Sequence, residues 1–214
     1  VCLADGHSLN YDKLILATGA VPRTLPQVVD LENVHVLRSP DDAAALRRAM
    51  QTANTAVVIG GGYIGLEAAA SFRKAGLTVH VVEAAERLLA RVASPGISAF
   101  FQELHQRHGV MIHTGMTKTK FHQKDVLFTG ITLDTGEQIS AELLVVGIGV
   151  EPESVLADAI GAETGNGIHV DRQMRTTIED VYAIGDVALV DGAELRVESV
   201  HNAQDPAARA AADI

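Results

Sequence analysis

Gly60-Gly-Gly-Tyr-Ile-Gly65 constrains this chain more than any other segment. An apolar run, Thr55 to Ile59, leads into it, and Leu66 to Lys74 has a helical pattern stopped at Gly76. Thr78 to Val82 then reads as a second buried strand, ending on Glu83. Strand, glycine turn, helix and strand make one parallel crossover unit. Within the turn, Gly60 allows a tight reversal and Gly62 lets a pyrophosphate approach the backbone. Gly65 lets helix and strand pack closely. Gly61, Tyr63 and Ile64 complete the loop and the first helical turn, whose free N–H groups and positive dipole end favour phosphate. Glu83 follows about 20 residues on, where a carboxylate can accept hydrogen bonds from both ribose hydroxyls of an adenosine. The plainer alternative is a glycine-rich turn that only packs; the full strand–helix–strand–acid context favours a dinucleotide. A carboxylate repels a 2′-phosphate, so Glu83 favours NAD over NADP. Arg87 and Arg91 pull the other way, because either could reach a phosphate.

Composition narrows the class. Of 214 residues, 47% are hydrophobic and 21% charged, enough to build a sizeable core and unlike a disordered chain. The net charge of −10 argues against nucleic acid, which rewards clustered Lys and Arg. The longest apolar stretch, Leu143 to Val150, falls well short of the ~20 residues that span a bilayer, so no membrane partner is expected. No signal peptide is read at the N-terminus. Cys2 is the single cysteine, which points to a reducing, cytoplasmic setting and leaves no thiolate metal site. The chain opens on Val1 and ends within a helical pattern, so a piece of a longer protein is expected.

The remaining pattern is α/β. Lys13 to Thr18 reads as a buried strand ending at Gly19, and Pro22 to Pro26 as a connector. Val34 to Leu37 reads as a brief strand, and Ser39-Pro40 opens a helix as N-cap and first position. Pro95 to His108 reads as a helix and Val110 to His113 as a strand. Between Thr117 and Ala141, short β-like pieces alternate with turn signals, which fits an antiparallel meander. Glu142 to Gly147 returns to a buried strand, and Pro152 to Ile160 reads as a short helix. Gly167 to Val170 and Val181 to Ile184 read as strands and Ala203 to Ala212 as a helix. Pro206 stands out there, because proline suits only the first helical turn.

Four segments carry a family resemblance: Tyr11 to Ala20 with its Ala-Thr-Gly, Gly60 to Glu83, Leu143 to Pro152, and Thr176 to Asp186. In this order they resemble the FAD-dependent pyridine nucleotide–disulfide oxidoreductase superfamily. Arg196-Val-Glu-Ser-Val-His-Asn-Ala-Gln204 and Leu37-Arg38-Ser39 resemble the branch of ferredoxin and rubredoxin reductases that serve oxygenases. The resemblance implies a Rossmann-like three-layer domain of parallel sheet, helices and antiparallel meander, with part of a second, FAD-binding Rossmann-like domain. It places residues 1–27 and 148–214 in the FAD-binding part and 28–147 in the NAD-binding domain. It implies FAD and NAD as cofactors and a 2Fe–2S ferredoxin or a rubredoxin as partner.

By the same resemblance, Asp186 matches the acid on the ribityl chain of FAD, and the Val200 backbone lies against the isoalloxazine ring. Arg38 contacts FAD, and Thr18 and Gly19 form the turn near it. Glu67 lies close to the nicotinamide, and Gly147, Ile148 and Gly149 form a turn beside bound NAD. Plainer roles stand beside these: a helix cap for Asp186, a solvated charge for Arg38 and an exposed helix position for Glu67. No protein acid or base is required as a catalytic group, since the flavin carries the chemistry. The family's N-terminal glycine-rich FAD motif and its C-terminal domain have no counterpart here. The chain alone is therefore expected to be inactive, to bind NAD(H) weakly and to lack stable flavin. An NADH oxidase or disulfide-type flavoenzyme, and an NAD-sensing flavoprotein related to apoptosis-inducing factor, are the rival readings.

Overall fold

The computed structural model describes residues 1–193 and 195–214. The chain divides into two compact units, one of residues 22–149 and one of 1–21 with 150–214.

The first of these is built on a five-stranded parallel sheet. Its order is Val34–His35, Leu143–Val146, Thr55–Ile59, Thr78–Val82 and Val110–His113. Both faces are covered, which explains why the central strands are near-continuous apolar runs rather than alternating ones, with Thr55, Thr78 and His80 as the polar positions. Ala56, Val58, Val79, Val81, Leu143 and Val145 face a cluster with Leu46 and with Leu66, Ala69 and Phe72 of the helix Tyr63–Lys74. Val57, Val82, Leu144 and Val146 face the opposite way, onto Phe128, Ile131 and Ile139. Those three belong to or border the antiparallel meander of Lys120–Lys124, Leu127–Thr132 and Gln138–Ser140. Helices, parallel sheet and meander thus form three layers around two apolar seams. Phe72 is fully buried in the first seam, where truncation to Ala costs about 3–5 kcal/mol.

The helices of this unit start where short polar residues can cap them. Ser39 accepts from the Asp42 N–H, the Asp42 carboxylate accepts from the Ser39 N–H, and Pro40 opens the helix Pro40–Ala49. Ser94 caps Pro95–Arg107 through the Ile97 N–H. The helix Tyr63–Lys74 begins earlier than its apolar periodicity suggests, at the residue after Gly62, and no side chain caps it.

In the other unit, Leu14–Leu16 pairs in parallel with Val181–Ala183, and Ala20–Pro22 pairs with Val150–Pro152. Gly167–Val170 lies between Thr164–Gly165 and Ala188–Val190. Leu16, Ile168, Met174, Tyr182, Val187 and Ala210 form its core. Three expectations are corrected here. Pro22 closes a short strand instead of standing in a connector, which its missing N–H tolerates at a strand end. Pro152 ends a strand, so the following helix is only Val155–Ala159. The last helix starts at Val200, not near Ala203, and runs to Asp213 from a Ser199 cap. Pro206 therefore sits inside it, past the first turn, and is buried; that burial offsets the lost backbone bond. Among the described residues, no helix is long and apolar enough to cross a membrane.

Candidate functional site

The strand order reverses direction at Thr55–Ile59, which lies between Leu143–Val146 and Thr78–Val82. In open parallel sheets the crevice beyond the carboxyl ends at such a reversal is where ligands bind. Here Ile59 runs into Gly60 and Val146 into Gly147. The two ends are tied together: the Gly147 N–H donates to Ile59 at 2.8 Å, and the Gly60 N–H donates to Val82 at 2.8 Å.

Each glycine of the loop meets a different neighbour. A Cβ on Gly60, whose φ is +108°, would stand 2.3 Å from the Gly147 carbonyl oxygen. One on Gly65 would stand 2.0 Å from the Gly60 oxygen, and one on Gly61 would strike Leu88 at 2.5 Å. Gly60 and Gly65 meet backbone that cannot step aside, whereas the neighbour of Gly61 is the tip of a flexible side chain. Around Gly62 no atom lies within 4 Å, and its φ of −82° suits any residue. Nothing in the protein itself requires glycine there.

Tyr63 and Ile64 form the exposed start of the helix, with Tyr63 58% exposed. Glu67 is exposed a turn further on, and its carbonyl accepts from the Ser71 hydroxyl at 2.9 Å. Glu83 is half-buried and already engaged: its carboxylate accepts the Gly61 N–H at 2.6 Å and the Ala85 N–H at 2.7 Å. A carboxylate has about four lone-pair sites, so two remain for a sugar. The acid thus shapes the glycine loop as well as standing beside it. Below it, the His113 carbonyl accepts the Glu83 N–H at 2.8 Å. The His113 and His80 rings stack, with Nδ1 of His80 3.1 Å from Nε2 of His113. Burial pushes both imidazoles below their usual range, so the pair is neutral at pH 7 and shares one proton-donating N–H.

Arg91 is exposed, and its guanidinium reaches the edge of the Gly147-Ile-Gly149 turn, where Gly149 has a φ of +101°. Arg87 differs. Its guanidinium donates to the Ala90 and Ala93 carbonyls and the Ser98 hydroxyl, which engages three of its five N–H donors within the loop and the helix that follows. The structure brings Gly60 to Gly65, Glu83, Arg91 and the 147–149 turn to one end of the sheet.

The residues matched to a flavin are divided between the two units. Gly19 and Asp186 line one cleft with Ala17, Ile184, Gly185 and Ala203. Thr18 turns its hydroxyl to the Glu153 carbonyl at 2.5 Å and so holds the turn from behind. Val200 is the first residue of its helix and 70% exposed, one turn before Ala203. Arg38 lies in the other unit, on the segment that enters Pro40–Ala49. Arg196, given no role by sequence, holds the Asp186 carbonyl, the Asn166 carbonyl and Glu198. Its only sequence signal is its place at the head of the 196–204 segment.

Comparisons with known proteins bear on the family and the fold. Putidaredoxin reductase CamA of Pseudomonas putida is 40% identical over 222 residues, covering 99% of this chain and 53% of that protein. A rubredoxin-NAD(+) reductase of Pseudomonas putida is 40% identical over 208 residues, covering 95% and 54%. The solved covalent putidaredoxin reductase–putidaredoxin complex superposes with a TM-score of 0.93 at 39% identity, covering 99% of this chain and 53% of that one. The chain spans about half the length of the relatives it matches. A family model, described as pyridine nucleotide-disulphide oxidoreductase, matches residues 1–207, and the chain belongs to that family.

Proposed function

We propose that the chain is part of an NADH-dependent flavoprotein reductase that draws hydride from NADH and passes single electrons to a ferredoxin or rubredoxin. Residues 22–149 form its NADH-binding domain, and residues 1–21 with 150–214 form part of its FAD-binding domain. FAD, when bound, supplies the chemistry of accepting a hydride and releasing electrons one at a time.

The open space over Gly62 carries the reading. Gly60 and Gly65 are demanded by backbone packing; Gly62 is not, so what it accommodates comes from outside the protein. It stands at the uncapped N-terminus of Tyr63–Lys74, where free N–H groups face any approaching anion. A pyrophosphate fits there. Glu83 binds the ribose hydroxyls through its two remaining lone-pair sites, and Arg91 offsets phosphate charge beside Gly149. Gly147 and Ile148 border the dinucleotide, and Glu67 orients the nicotinamide. On the flavin side, Gly19 and Asp186 line the cleft, Thr18 holds its turn, and the Val200 backbone adds a contact. The names of the relatives support a small redox protein as the electron acceptor. A single, exposed cysteine supports a cytoplasmic setting.

The test uses the whole flavoprotein with a 2Fe–2S ferredoxin as acceptor. Gly62→Val should raise KM for NADH by about tenfold or more while the melting temperature stays unchanged. An unaltered KM overturns the proposal.

A further inference from the structure

Resting on the reading of residues 22–149 as the NADH-binding domain, we infer that Arg87 is the positioning residue for the NADH-binding loop. It acts through the backbone of residues 84–93 and not by touching the cofactor.

The loop needs such a residue. Leu89 adopts a φ of +52°, a left-handed conformation that a side chain with a Cβ holds only when its surroundings impose it. Its N–H donates to the Gly61 carbonyl at 2.9 Å, so this strained residue is bonded directly to the glycine turn. Leu88 is buried against Gly61 from the same side. Glu83 enters the loop by accepting from Gly61 and Ala85.

Arg87 closes the far side of this arch. One guanidinium nitrogen, Nη1, donates to the Ala93 carbonyl at 2.8 Å and to the Ser98 hydroxyl at 2.6 Å. The other, Nη2, donates to the Ala90 carbonyl at 2.9 Å. Ala90 and Ala93 flank Arg91, so the bonds hold the backbone on both sides of the residue that reaches Gly149. Ser98 is buried near the start of Pro95–Arg107, and its hydroxyl donates to the Leu88 carbonyl at 2.6 Å. The arch is therefore anchored to a helix at one end and to the glycine turn at the other. The three acceptors are reached from two nitrogens held apart in one plane; an ammonium also has three donors, but all on a single nitrogen.

This makes a distinct expectation. A direct charge contact to phosphate would survive Arg87→Lys, whereas a positioning role needs the fork. In the whole flavoprotein, both Arg87→Lys and Arg87→Gln should raise KM for NADH about tenfold. The preference for NADH over NADPH should fall with it, because Glu83 and Arg91 lose their common frame. The kcat at saturating NADH should stay within about twofold. Ser98→Ala removes one acceptor and the tie to Leu88, and should raise KM about threefold in a protein that still folds. Rescue by Lys to the wild-type KM, or an unchanged KM in Ser98→Ala, overturns the inference. Gly62→Val separates the two levels: if it raises KM while the Arg87 and Ser98 variants do not, only the positioning role is lost. If none of them moves KM, the NADH site itself is elsewhere.

Discussion

Two helices of the same unit begin in opposite ways. Pro40–Ala49 starts from Ser39 in a closed capping box, with Asp41 and Asp42 in its first turn. Tyr63–Lys74 starts from Gly62 with no side-chain cap and no acid in its first turn. Both face the same physical demand, since the first N–H groups of any helix have no partner within it and carry partial positive charge. At Ser39 the chain meets that demand itself. At Gly62 no side chain caps the helix, and the space over the glycine is open. One helix start is closed by its own side chains, and the other is the one to which the proposed function assigns a pyrophosphate.

The comparison breaks most visibly at the glycines that serve packing. Gly65→Ala drives a Cβ into the Gly60 carbonyl, which is backbone and cannot step aside. We expect a loss of about 3 kcal/mol in urea unfolding; a loss under about 1 kcal/mol would show that the close helix–strand approach is not needed. Ser39→Ala should cost about 1 kcal/mol and leave KM for NADH unchanged, the reverse of the outcome expected at Gly62. A shift in KM from Ser39→Ala would erase the contrast between the two helix starts.

The smallest effect is one of pH. Partial burial opposes ionisation of Asp42, but hydrogen bonds from the Ser39 N–H, the Ser39 side chain and the Arg38 N–H outweigh it. They hold the carboxyl below its ordinary value of 3.8. The unfolded chain therefore binds this proton more readily than the folded one, and the box stabilises fully above pH 3.8. Its contribution is lost as pH falls through the lowered value. Acid unfolding of Asp42→Asn should accordingly show a shallower pH dependence below pH 4 than the unmodified protein. Identical acid profiles would remove Asp42 from the cap.

Much of this was legible in the residues. The strands Thr55–Ile59, Thr78–Val82 and Val110–His113 and the Ser39 cap follow from apolar runs, turn glycines and capping chemistry, all of which act over a few residues. The short pieces were harder. Pro22 and Pro152 sit in strands because distant partners hold them, and Pro206 lies inside a helix because tertiary burial overrides local preference. In the candidate site, the sequence singled out Gly62 and Glu83 but could not separate Arg87 from Arg91. Both are arginines in one loop, and only the folded backbone shows that Arg87 binds the Ala90 and Ala93 carbonyls and the Ser98 hydroxyl while Arg91 is exposed.

By itself, the order of residues determined that a glycine turn joins a buried strand to a helix and that an acid closes the next strand. These are consequences of local sterics and periodicity. Tertiary structure alone decided that Leu143–Val146 lies beside Thr55–Ile59, bringing Gly147 against Gly60. It also decided that Leu89 is held in a left-handed turn by the Gly61 carbonyl. Such contacts join residues far apart in the chain, and their energies depend on packing and geometry that no short window of sequence contains.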